Sequence, residues 1–253
     1  MRLIFAVAAI FAVSLAPAEA KDMPPSKINL SKIDWSQKPP VNAVIAQYGK
    51  TFAAECSEAL QDGVDKVEPQ VFELNYKYDY DTDADPAHPQ VIYEFPCSMG
   101  AYNALEVFME WEEVEGLQVL SFAYPTYDTA YVDNNSDDGA VQSIKLKGLA
   151  STHDLINPEF DPDTRTLTDF SKYRGIGDAY SRATYKLEGS DFVLQTYEID
   201  ASYDGRDNPV TVVDYTKDQP VIAGPGPDDG TKLDDSDESE EPGGAAASSS
   251  KAP

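Results

Sequence analysis

Nucleophilic catalysis and soft-metal binding both draw on histidine and cysteine, and this chain of 253 residues has two of each: His88, His153, Cys56 and Cys97. A nucleophilic triad sets a histidine beside a serine or cysteine and orients it with an acid. His88 lies in a proline-flanked stretch and His153 follows Ser151 and Thr152, with no nucleophile elbow around either. Both read as surface residues. Their spacing from the cysteines does not match a structural zinc set. An even cysteine count in an exported chain reads as one disulfide, Cys56 to Cys97. It closes a loop of about 40 residues, worth roughly 4 kcal/mol against the unfolded chain. No cofactor is called for.

Carboxylates are the abundant resource, with 45 Asp and Glu against 19 Lys and Arg. Asp79, Asp81 and Asp83 have the one-three-five spacing of an EF-hand calcium loop. Ala84 then stands where the sharp turn needs glycine, and Gln90 where the bidentate glutamate belongs. The run at 133–139, DNNSDDG, fails in the same way, so both read as solvated turns and no metal site is expected. Glycoside cleavage by two carboxylates stays open, because one sequence does not say which acids share a cleft. Tyr76, Tyr78 and Tyr80 could stack on a sugar, but their alternation assigns them first to a sheet face.

The segment RGIGD at 174–178 offers two glycines that would let backbone amides approach a ligand. The simpler reading is a hairpin turn in which Gly175 and Gly177 take positive φ and Arg174 pairs with a nearby carboxylate. Lys172, Tyr173 and Arg174 are the candidates for partner contact. The formal charge of −26 repels nucleic acid and anionic lipid and attracts basic proteins over a distance that salt shortens. Nucleic-acid binding is thereby excluded.

The elements that must carry these residues follow from period and punctuation. Residues 1–20 begin with Arg2, run apolar from Leu3 to Leu15 and end Ala18-Glu19-Ala20, the pattern of a leader cleaved after Ala20. The run is too short to span a bilayer, so a periplasmic or secreted protein without membrane insertion is expected. Residues 21–40 read as an extended lead-in. Over 41–60, Val44, Ile45, Tyr48, Phe52, Ala53, Cys56 and Leu60 recur at three and four, predicting a helix of about five turns with Asn42 as N-cap. The period then changes to two at 71–80, 91–95, 105–111 and 117–124, with a break at 96–100 and a hairpin turn at Glu115-Gly116. A shorter strand at 143–149, a pair around 160–200 and a last strand at 210–216 complete a single β-rich domain over 41–223. Residues 224–253 are Gly, Pro, Ser, Ala and acid, a composition that reads as a disordered tail. One early helix, short strands and no βαβ alternation predict a mainly β fold, an antiparallel sandwich or partly closed barrel.

Two stretches, PCSMGAYN at 96–103 and FDPDTRTLTDFSKYRGIGD at 160–178, with the hairpin that follows at 185–192, resemble the exported bacterial family catalogued as domain of unknown function 1176. The resemblance covers about 90–200 and implies an exported, mostly β domain without an assigned activity. It also implies a departure. Comparable members often carry a cysteine directly after RGxGD and another after the next hairpin, where this chain has Ala179 and the Ala201-Ser202 pair.

Three functional readings come out of the residues. The leading one is a non-enzymatic exported binding module, in one version an inhibitor of a basic envelope hydrolase such as a lysozyme. The others are an envelope hydrolase using paired carboxylates and a calcium-stabilised structural protein.

Overall fold

The computed structural model describes residues 21–78, 80–134 and 140–217. The leader at 1–20, Asp79, the loop at 135–139 and the tail at 224–253 lie outside the described residues. All strand pairing is antiparallel. One sheet carries β1 (Gln70–Tyr76), β2 (His88–Met99), β3 (Ala104–Glu112) and β4 (Gly116–Val119) in that order, with β7 (Asp154–Ile156) also on β3. A second runs β12 (Val210–Asp214), β11 (Asp191–Asp200), β10 (Tyr180–Glu188), β9 (Thr166–Lys172) and β8 (Glu159–Asp161). A long hairpin, β5 (Phe122–Tyr131) and β6 (Val141–Thr152), forms a two-stranded sheet of its own among the described residues. Among the described residues both sheets stay open and no barrel closes, and the expected antiparallel sandwich is present.

The helix is shorter than its apolar period. α1 spans Val41–Thr51, and the chain continues to Gly63 as successive turns. Phe52, Cys56 and Leu60 keep the helix's buried side there, because Cys56 N still donates to Phe52 O and Leu60 N to Cys56 O. The reason for the break is the tether to the sheet. Cys56 and Cys97 form the expected disulfide with their Cα atoms 4.3 Å apart, and Ala59 N donates to Cys97 O rather than continuing the helix. Asn42 is not the cap. Pro40 holds that place, while the Asn42 amide donates to the carbonyls of Lys21 and Met23 and ties down the lead-in.

Two strand ends also move. β1 stops at Tyr76 because Asp81 closes a turn, accepting from Tyr78 N at 2.8 Å while its own amide donates to Tyr78 O. The expected break at 96–100 is instead a bulge inside β2, where the register shifts between Pro96 and Ser98. That is a position at which a strand tolerates a proline.

The first sheet is covered on both faces. Val91, Tyr93, Phe95, Cys97, Val107, Met109 and Trp111 pack against Val44, Ile45, Tyr48, Phe52 and Cys56 of the helical segment. Tyr48 stacks on Phe95 at 4.3 Å, and the Trp111 indole donates to the Trp35 carbonyl of the lead-in at 2.9 Å. Gly116, at φ 76°, is needed here, because a Cβ would come within 2.9 Å of that carbonyl oxygen. The other face, with Ile92 and Phe108, packs on Leu167, Ala183, Tyr185, Leu187, Phe192 and Leu194 of the second sheet and on Phe122 of the hairpin. Among the described residues no helix is long and apolar enough to cross a membrane.

Candidate functional site

Alternation along β2 and β3 gives the second face its chemistry. Residues opposite one another in an antiparallel pair share a face, so the pairs Gln90↔Glu112, Ile92↔Glu110, Glu94↔Phe108 and Pro96↔Glu106 line up on the side that meets the second sheet. Glu94, Glu110 and Glu112 are all buried, as is Gln90. Buried carboxylates must find donors, metals or protons, and each of these finds a different answer.

Glu112 is satisfied by its own turn. Val114 N donates to Oε2 at 2.8 Å, Glu115 N donates to Oε1, and the Tyr76 hydroxyl donates to Oε2 at 3.2 Å. Glu94 is satisfied by a proton. Its carboxyl hydrogen-bonds to that of Glu106, and burial, reinforced by this bond, holds its pKa far above the carboxylate range.

Glu110 is only half satisfied. The Gln90 amide donates to its Oε1 at 2.6 Å and to Gly189 O at 2.7 Å, while the Gln90 carbonyl accepts from Arg165 Nη2 at 2.8 Å. Arg165 reaches this buried amide from a residue at φ 54°, outside the usual range for a side chain of its size, and its Nε is buried without a partner. Strained backbone of this kind gathers at ligand and active sites. On its open side Glu110 faces a cavity of about 330 Å³ lined by Glu115, Gln118, Ser121, Asp191 and Phe192 among others. Burial pushes the Glu110 pKa up to about 7; the Gln90 hydrogen bond pulls against this, and the charges of Glu112, Asp191 and Glu115 add to it. A carboxyl poised near neutrality among other acids can do two things. It can take up a cation and lose its proton, or it can trade that proton with a substrate.

A smaller polar hollow of about 190 Å³ lies between the hairpin and the second sheet, lined by Asp154, Asp169, Ser181 and Tyr197 among others. Burial raises the Asp169 pKa to about 6 against the donation from Ile156 N. Its polar groups largely satisfy one another, Thr152 with Asp154 and Asp169 with the β7 backbone.

The partner-contact candidates Lys172, Tyr173 and Arg174 lie at a seam between the two sheets. Asn103 Nδ2 donates to Lys172 O at 2.9 Å and Asn103 Oδ1 accepts from Lys172 N, the Tyr102 hydroxyl donates to Tyr173 O, and Asn157 bridges Asn103 and Phe170 O. The two motifs that carry the family resemblance therefore meet and join the ends of the two sheets. The Tyr173 hydroxyl pairs with that of Tyr127 at 2.6 Å. Arg174 grips Asp178 through two nitrogens and donates to Tyr203 O at 2.8 Å, holding the Asp178 pKa down to about 2. Of the two turn glycines, Gly177 alone has positive φ, 71°. At Gly175 a Cβ would stand 3.5 Å from the Tyr102 ring, an ordinary contact distance, so neither backbone angle nor space demands glycine at that place. Ala179 and Ala201 are both buried and lie one step beyond the Tyr180↔Asp200 pair, where two cysteines would face each other across the ladder.

The histidines divide. His153 is exposed; its Nδ1 lies 3.1 Å from Ser121 Oγ and 3.0 Å from Leu120 O. A carbonyl only accepts, so Nδ1 carries the proton and does not serve as base for Ser121. His88 is held by two carboxylates, Asp81 and Glu113. Asp81 of the calcium-spaced run is thereby spent on Tyr78 N and His88, and among the described residues no group of three or more His, Cys, Asp or Glu could hold a metal ion.

Sequence reasoning missed Gln90, Glu110, Arg165 and Asp191. Arg165 stands inside the second motif, but nothing in its neighbours marks it as the residue that crosses to β2. A family model described as protein of unknown function (DUF1176) matches residues 36–210, a span that takes in α1, β1 through β11 and the whole acidic face. No curated protein and no solved structure matches the chain.

Proposed function

The chain belongs to the DUF1176 family of proteins of unknown function, and since membership brings no activity with it we propose that the protein is an exported binding module that takes a cationic group of a basic partner into the pocket at Glu110. Export is supported by the leader-like composition of residues 1–20 and by the Cys56–Cys97 disulfide, a bond of oxidising compartments. The observation that carries the binding role is a buried glutamate facing an open cavity with Glu115 and Asp191 at its wall and a pKa near 7. An ammonium or guanidinium group entering there returns Glu110 to the ordinary carboxylate range and displaces its proton. The long-range field of an acidic protein brings such a partner in.

Calorimetry on the chain from Lys21 onward tests this, with hexa-arginine and a basic lysozyme as probes, at pH 7 and low salt, in two buffers of different ionisation enthalpy. The expected result is binding that salt weakens, with a proton released on binding that disappears in Glu110→Gln. Absence of binding to both probes, or binding indifferent to Glu110→Gln, overturns it. With lysozyme, muramidase inhibition should track occupancy.

A second reading has one observation in its favour. A carboxyl titrating near neutrality beside a second carboxyl in one cavity is the pattern of an acid–base pair. A hydrolase of this kind would cleave peptidoglycan or its oligosaccharides and lose turnover in both Glu110→Gln and Asp191→Asn.

A further inference from the structure

The 112–116 turn, which carries Glu115 to the pocket mouth, is gripped from behind. His88 opens β2, and its two ring nitrogens meet carboxylates from two different connections. Nδ1 meets Glu113 of the 112–116 turn, and Nε2 lies 3.2 Å from Oδ2 of Asp81 in the loop between β1 and β2. Neither carboxylate is a donor when ionised. The ring makes both contacts well only with a hydrogen on each nitrogen, as imidazolium.

The surroundings favour that form and transmit it. Tyr76 and Tyr78 pack beside the imidazole at 5.5 and 4.9 Å between ring centres, and the Tyr76 hydroxyl reaches both Tyr78 Oη and Glu112 Oε2. Glu112 in turn accepts the Val114 and Glu115 amides. Asp85 adds its charge from the loop. Among the described residues the charged groups facing His88 are thus Asp81 and Asp85 from the loop and Glu113 from the turn, with Glu112 behind Tyr76.

We propose that His88, gripped between Asp81 and Glu113, is a proton-operated latch that holds the 112–116 turn, and with it Glu115, at the mouth of the acidic pocket. The hydrogen bond to Glu113, with the Asp81 charge, raises the His88 pKa against a smaller opposing effect of burial. The sign follows. A histidine raised above its unfolded value of about 6.5 keeps its grip in full below that value and loses it as pH rises through the raised one. Glu110 needs the opposite, since it ionises only above about 7. The consequence for binding rests on the reading of the pocket as a cation site: affinity should peak where Glu110 is ionised and the latch still holds.

The chain has two histidines, and His88→Asn tells their ring signals apart. Proton–carbon NMR of the two rings, amide exchange over 113–116, and hexa-arginine affinity are measured against pH for the chain from Lys21 onward, for Glu113→Gln and for His88→Asn. The expected results are a His88 titration above the ordinary imidazole value of about 6.5, lowered in Glu113→Gln, and protection of the turn that falls as His88 deprotonates. Each unit of pKa lowering weakens the latch about tenfold. In His88→Asn the alkaline limb of the binding profile should vanish while the acid limb set by Glu110 remains. A His88 that titrates at or below the ordinary imidazole value, or turn protection indifferent to that titration, overturns the latch. An unmoved binding profile in His88→Asn overturns its control of the pocket. If hexa-arginine binds at no pH, the cation reading falls, and the ring titration and exchange data alone decide the latch.

Discussion

The two faces of the β2–β3 pair are built from alternate residues of the same strands, and they do opposite things. Toward the helix, Val91, Tyr93, Phe95, Val107, Met109 and Trp111 form a dry layer closed by the Cys56–Cys97 bond. Toward the second sheet, the intervening residues include Gln90, Glu94, Glu106, Glu110 and Glu112, among which Ile92 and Phe108 supply the apolar contacts. The dry face gains from every group it buries. The acidic face gives some of that stability back, because carboxyls removed from water are favourable only while protonated or paired. A fold that keeps such a layer has a rigid support on one side and, on the other, charges that a ligand can relieve.

The largest blow to this contrast should come from the dry side. Phe95 is fully buried and stacked on Tyr48, and Phe95→Ala should cost about 3 to 5 kcal/mol in urea unfolding, equally at pH 5 and pH 8. Replacing Cys56 and Cys97 by serine should cost roughly 2 to 5 kcal/mol and also loosen the 52–62 turns that the bond draws to β2.

The acidic side should instead show its effect through pH. Glu110 ionises at about 4.5 unfolded and about 7 folded, so the folded state holds a proton that the unfolded chain has lost. Its contribution is fully present below the unfolded value and disappears as pH rises through the folded one, at most about 3 kcal/mol. Glu110→Gln should therefore stabilise the protein at pH 8 and change little at pH 4.5, as thermal melts across that range would show. A melting temperature that rises from pH 5 to pH 8 would break the comparison. The smallest effect returns to the dry face. The Tyr93 hydroxyl is buried without a partner, and Tyr93→Phe should raise stability by about 1 kcal/mol.

The same contrast explains what the chain discloses before it is folded. Period two in Leu105, Val107, Met109 and Trp111 suffices to find the dry face, because apolar alternation is itself the signal. Glu106, Glu110 and Glu112 in the intervening places look like an ordinary solvent face. Only the second sheet, arriving from 159–214, turns them inward. The helix ran shorter than its period because a disulfide and one diverted amide at Ala59 decide where it stops, and neither is local. Arg165 was in plain view inside a motif, yet its role depends on reaching Gln90, 75 positions earlier. Long-range contacts of that kind leave no local pattern.

Glu110 is the residue on which the acidic face and its pocket most directly depend. Carbon-13 NMR of side-chain carboxyls, with Glu110→Gln to assign the signal, would follow its titration in the free protein and with hexa-arginine bound. The prediction is a midpoint near 7 in the free protein that falls toward the ordinary carboxylate range as the peptide occupies the pocket. A Glu110 that titrates near 4.5 in the free protein, or one whose midpoint ignores bound peptide, would contradict it.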